Sequence, residues 1–81
     1  MGKVTIVHDN GQLDWSTQCS GVLDAQDDGK IKVLRQDDTI VTLWQLDSFE
    51  EAAEIRDRLV QRIEEGLGNG DVIITIEDLR N

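Results

Sequence analysis

The sequence predicts an α+β fold: a small, mostly antiparallel β-meander of about five or six strands with one helix packed on one face. Three observations carry this. Turn-forming residues recur at short intervals, the segments between them are β-branched and alternating, and one stretch, Ser48 to Leu67, has a helical period and its own cap. The implied order is βββββαβ, in a single domain spanning residues 1–81.

Lys3 to His8 is rich in β-branched residues and reads as the first strand. Asn10-Gly11 follows, a dipeptide that tolerates the positive φ of a two-residue hairpin turn. Leu13 to Cys19 then alternates, so a second strand is expected with Leu13, Trp15, Thr17 and Cys19 facing a core. Gly21 marks a bulge or bend, and Val22 to Ala25 a weak strand. After the turn Asp27-Asp28-Gly29, Lys30 to Arg35 alternates with Ile31 and Val33 on one face. Lys30 and Lys32 would guard an exposed edge. Gln36-Asp37-Asp38 turns the chain again. Thr39 to Leu46 has apolar residues of both parities, as in a central strand covered in part on both faces.

Ser48 and Glu51 form a capping box, and Glu50, Glu51 and Glu54 suit the positive end of the helix dipole. Gly66 is expected just past the helix end, with Gly68 to Asp71 as a loop. Val72 to Leu79 reads as a last strand. The helical crossover allows the strands it joins to be parallel.

At about 100° per residue, Phe49, Ala53, Val60, Ile63 and Leu67 share one face of the helix, widened by Ala52, Ile55 and Leu59. Arg56 points into that stripe. An unpaired guanidinium there would cost several kcal/mol. Three outcomes are open: its head snorkels to water beside Ala52 or Ala53, it pairs with an acid such as Glu77 or Asp14, or it meets another subunit or partner. Glu54 and Arg58, at i and i+4, are routine surface chemistry.

Composition narrows the function. Seventeen acids against eight bases give a net charge of −9, which disfavours nucleic acid or anionic membrane as a direct partner. One cysteine excludes an internal disulfide, and one histidine leaves no zinc cluster of ordinary His/Cys spacing. No apolar run approaches a membrane span. Met1 to Val4 lacks the apolar core of a secretory leader, and Ile6 stands where a lipidation signal needs Ser or Thr. A reduced cytoplasm is the expected compartment.

The motifs that imitate chemistry fail on context. Gly66, Gly68 and Gly70 follow a helix, whereas a phosphate loop precedes one. Asp24, Gln26, Asp28 and Gly29 resemble the start of a calcium loop, but its twelfth position is Arg35. His8 and Asp9 are adjacent, and a nucleophile such as Ser16 or Cys19 on the neighbouring strand is geometrically conceivable. Cys19 shares the parity of Leu13 and Trp15, as a buried thiol would. Stacking modules for nucleic acid need interleaved aromatic and basic residues, which this chain lacks.

The expectation is therefore a small, acidic, non-catalytic protein–protein interaction or accessory module of the kind phages and mobile elements encode. It would act on a protein partner, on itself as a homodimer, or both. No catalytic residue, cofactor or metal is expected. The interface candidates are Arg56, Trp44, Phe49 and Trp15, with at least one tryptophan kept for the core. The alternative is an acidic mimic of nucleic acid that occupies a basic enzyme's groove. Its motivation is the doublets Asp27-Asp28, Asp37-Asp38, Glu50-Glu51, Glu64-Glu65 and Glu77-Asp78.

Overall fold

The computed structural model describes residues 2–80; Met1, where the segment read for a leader begins, lies outside them. The elements are β1 (Val4–His8), β2 (Gly11–Asp14), α1 (Trp15–Gln18), β3 (Cys19–Val22), β4 (Lys30–Arg35), β5 (Ile40–Gln45), α2 (Phe49–Asn69), β6 (Val72–Ile74) and α3 (Ile76–Arg80). The class is α+β. The strands form two three-stranded sheets, β2-β1-β6 and β3-β4-β5, rather than one meander. All pairs are antiparallel except β1 with β6. A parallel pair does follow the helical crossover. It forms with β1, because β5 and β6 belong to different sheets. Helix α2 lies against β1 and β6 of one sheet and β4 of the other. Leu59, Ile6, Ile31, Leu43 and Ile74 are fully buried in the core they share.

The first hairpin turns at Asp9-Asn10, with His8 opposite Gly11. Among the described residues only Gly11 takes positive φ here (138°), so Asn10-Gly11 marks the turn but sits one residue late. The strand expected over Leu13 to Cys19 is broken by α1. Asp14 caps it by accepting from the Ser16 N–H at 3.0 Å, and the Gln18 side chain accepts from the Asp14 N–H at 2.9 Å. Local side-chain bonds of this kind compete with a sheet ladder and here prevail. The bulge near Gly21 is present: Cys19 faces Arg35 and Gly21 faces Leu34, with Ser20 as the extra residue. The weak strand expected over Val22 to Ala25 does not form: Val22 is the last residue of β3, and Leu23 to Ala25 lie outside any strand.

Strand β4 matches its expected bounds, but it is the central strand of its sheet, so Lys30 and Lys32 guard no edge. The loop to β5 closes through Arg35 N–H to Thr39 C=O (2.8 Å) and Asp38 N–H to Arg35 C=O (3.0 Å), with Asp38 at φ 70°. Strand β5 is an edge, not the expected centre. Its two apolar parities come from a bulge: Ile31 pairs with Trp44 and Lys32 with Thr42, leaving Leu43 as the extra residue. Leu43 and Trp44, adjacent in sequence, are therefore both buried.

Helix α2 opens as expected, with Ser48 Oγ accepting from the Glu51 N–H at 3.1 Å. Its buried residues are Ala52, Ile55, Leu59, Ile63 and Gly66. At about 100° per residue, this stripe is turned about 80° from the expected one. Phe49 and Leu67 are accordingly exposed, at 47% and 41%. Gly66 does not end the helix. It lies where the helix presses on β1 and β6, and a Cβ there would collide with Val72 Cγ1 and lie 2.9 Å from Val4 Cγ2. Asn69 is the last helical residue, and Gly70 caps it at φ 117°. The last strand is only Val72–Ile74. Thr75 and Asp78 then exchange hydrogen bonds as a capping box (3.1 and 3.3 Å) and start α3, which buries Leu79.

Candidate interaction surface

Arg56 sits on the shoulder of the buried stripe, between Ala52 and Leu59 on one side and water on the other. Its side chain is 28% exposed. The Nε donates to the Leu23 carbonyl (3.3 Å) and Nη2 to the Val22 carbonyl (3.4 Å). Asp24 and Asp57 lie at 3.7 and 3.5 Å. Its acidic neighbours are thus not Glu77 or Asp14. The planar guanidinium fork spans two carbonyls where β3 leaves its sheet, a task for which a single ammonium is poorly shaped. It ties α2 to the segment joining β3 and β4.

The other candidates do not converge on Arg56. Trp44 is 3% exposed and belongs to the core, so its place among the interface candidates is corrected; the Leu43 bulge turned it inward. Phe49 projects from the first turn of α2. Trp15 is half-buried at the start of α1, packed against the core. It lies beside Leu67, about 27 Å along α2 from Phe49 at a rise of about 1.5 Å per residue.

Trp15 and Leu67, with Gly2, Ser16, Thr17 and Cys19, line a mainly apolar groove of about 520 Å³. The residue pattern did not single it out as a site. One signal was present: Trp15 to Leu23 is the longest run without a charged residue, nine positions in a chain of net charge −9. Cys19 is 6% exposed, and burial pushes its thiol pKa up; Asp14 adds to this and Arg35 opposes it. The thiol behaves as a small apolar side chain in the groove wall.

Other polar groups singled out in the sequence make contacts within turns and between helices. His8 Nδ1 accepts from the Asn10 N–H at 3.3 Å, closing the first turn. Asp28 accepts from the Lys30 N–H at 3.0 Å in the turn that imitated a calcium loop. Arg58 donates to the Leu79 carbonyl at 2.7 Å and to Glu54 at 2.8 Å, and Arg80 approaches Glu51 at 3.6 Å. These contacts fasten α3 to α2. Among the described residues, no group of three or more His, Cys, Asp or Glu is placed to hold a metal ion, and no helix is long and apolar enough to cross a membrane.

No protein-family model, curated protein or solved structure matches the chain.

Proposed function

We propose that the chain is a non-catalytic protein–protein contact module, and that the groove between α1 and the end of α2 receives the partner. The observation that carries this is the groove itself. It is an apolar concavity flanked by a half-buried tryptophan and an exposed leucine, set in the longest uncharged stretch of a strongly acidic chain. Tryptophan beside an apolar hollow is the usual anchor of a contact surface. A mimic of nucleic acid asks instead for a continuous run of unpaired carboxylates. Here Asp14, Asp28, Glu51, Glu54 and Glu65 each face a basic side chain of the same molecule.

The test is capture from the native host with wild type, Leu67→Asp and Lys32→Glu as baits. A partner retained by Lys32→Glu and lost at least tenfold by Leu67→Asp, with melting unchanged in both, is the expected result. Equal retention by Leu67→Asp would remove the groove from the account. Capture that collapses with added salt would favour the mimic.

A further inference from the structure

We infer that β5 is a self-pairing edge: two copies of this chain join antiparallel about a two-fold axis at Val41, with Ile40 of each copy opposite Thr42 of the other. This rests on reading the chain as a contact module, but it uses a surface separate from the groove.

The register follows from the ladder. The bond from Arg35 N–H to Thr39 C=O fixes 35 and 39 as a hydrogen-bonded pair. Pairs in an antiparallel ladder alternate, so Val33 with Val41 is hydrogen-bonded, while Leu34 with Ile40 and Lys32 with Thr42 are not. The backbone N–H and C=O of Ile40 and Thr42 therefore point away from β4, along the outer edge. Beyond Thr42 the edge is closed, because the Leu43 carbonyl at the bulge accepts from the Asp9 N–H at 3.3 Å. The open edge is thus the three residues Ile40 to Thr42, and the two-fold register that engages the outward groups of both Ile40 and Thr42 places Val41 on the axis.

The side chains agree with this register. On the inner face, the row of buried Val33 and half-buried Val41 continues into the second copy's Val41 and Val33. On the outer face, Ile40, 58% exposed, comes to lie between its own Leu34 and the second copy's Thr42. A second copy matches this edge: the outward N–H and C=O groups of Ile40 and Thr42 meet the same set, inverted, on another Ile40 to Thr42. Two molecules of net charge −9 repel each other, and Thr39 to Leu46 carries no charged residue that would add to the repulsion at the contact. Edge strands are ordinarily protected by charge or proline, and Ile40 to Thr42 has neither. So short a pairing buries well below the roughly 1,200 Å² of a stable interface, so the dimer is weak and tightens as salt screens the mutual repulsion.

The experiment is sedimentation of the whole chain at high micromolar concentration, in low and moderate salt, for wild type, Ile40→Lys and Thr42→Lys. It is paired with mild oxidation of Val41→Cys and Gln45→Cys. Wild type should show a reversible dimer that strengthens with salt. Both lysine variants should be monomeric with unchanged circular dichroism, since their side chains lie on the outer face. Across a non-hydrogen-bonded pair the Cα atoms sit about 4.5 Å apart, within disulfide range, so Val41→Cys should cross-link to twice the chain mass. Gln45→Cys should match wild type, whose buried Cys19 sets the background. A wild type that is monomeric throughout, with no Val41→Cys dimer, overturns the proposal and leaves the groove untouched. A dimer that survives Ile40→Lys and Thr42→Lys places the contact elsewhere and also overturns it.

Discussion

Arg56→Met is the most informative single change to this fold. Methionine keeps the stem that lies along the shoulder of α2 and removes only the head. The head makes two hydrogen bonds, to the carbonyls of Leu23 and Val22. Bonds to a charged group contribute about 1.5–3 kcal/mol each when well shielded. Here the side chain is 28% exposed and the carbonyls can be rehydrated, so a total of about 1–2 kcal/mol is the reasonable sum. The ion pairs add little, because the Asp24 and Asp57 side chains are 96% and 78% exposed. In a domain this size, about 1 kcal/mol moves the midpoint by about 4–8 °C, so Arg56→Met should melt about 4–16 °C lower. Thermal and urea unfolding followed by circular dichroism read this directly. Arg56→Lys should recover part of the loss, and Asp24→Asn almost none of it should cost. The oligomeric mass should not change, because the head is occupied within its own chain. If Arg56→Met melts with wild type, the guanidinium merely reaches water and its two carbonyl contacts do not matter.

Three further outcomes follow from particular contacts. Gly66→Ala gains about 1 kcal/mol of helix propensity but forces a methyl onto Val72 and Val4, a strain of about 1–3 kcal/mol, so urea titration should show a net loss near 1 kcal/mol; a gain would mean that α2 can lift off β1 and β6 freely. Thr75→Ala removes the cap of α3 and should cost about 1 kcal/mol, with faster hydrogen exchange confined to the last turn. The side-chain and backbone donors of Thr39 hold the Asp37 carboxyl below its ordinary value, so its contribution is present above that value and is lost as pH falls through the lower, folded one. Asp37→Asn should therefore flatten the acid limb of stability measured against pH below about 3.8, and an unchanged limb would show that the turn does not depend on this carboxylate.

Much of the fold was legible because its signals are local. Ser48 and Glu51 set the start of α2, and Asn10-Gly11, Asp27-Asp28-Gly29 and Asp37-Asp38 mark the turns. Lys30–Arg35 alternates cleanly because β4 has neighbours on both sides and one buried face. The rest depended on tertiary contacts. With the apolar residues of α2 spread over nearly half of its circumference at about 100° per residue, the period alone allows two orientations. The choice was made by the bare surface of Gly66 against Val4 and Val72, which a helical wheel scores as nothing. Asp14 and Thr75 were readable but outvoted: each heads a short run whose alternation or apolar content resembles a strand, and each instead caps a helix. Of the candidate site, Trp15 was visible from its type. Its neighbour Leu67 was assigned to the core by the misplaced stripe.

The bulge at Leu43 shows why one extra residue governs so much of this surface. Without it, β5 would alternate strictly, and either Leu43 or Trp44 would stand in water. With it, both enter the core, and Trp44 is lost as a contact residue. The same insertion swings the Leu43 carbonyl outward to meet the Asp9 N–H, which joins the two sheets and closes the far half of the β5 edge. What stays open is the three-residue segment that carries no charge. A bulge on an edge usually protects it from pairing along its whole length. Here it shortens the open edge to three residues, so the feature that buries Trp44 also sets Val41 at the centre of the self-pairing we propose.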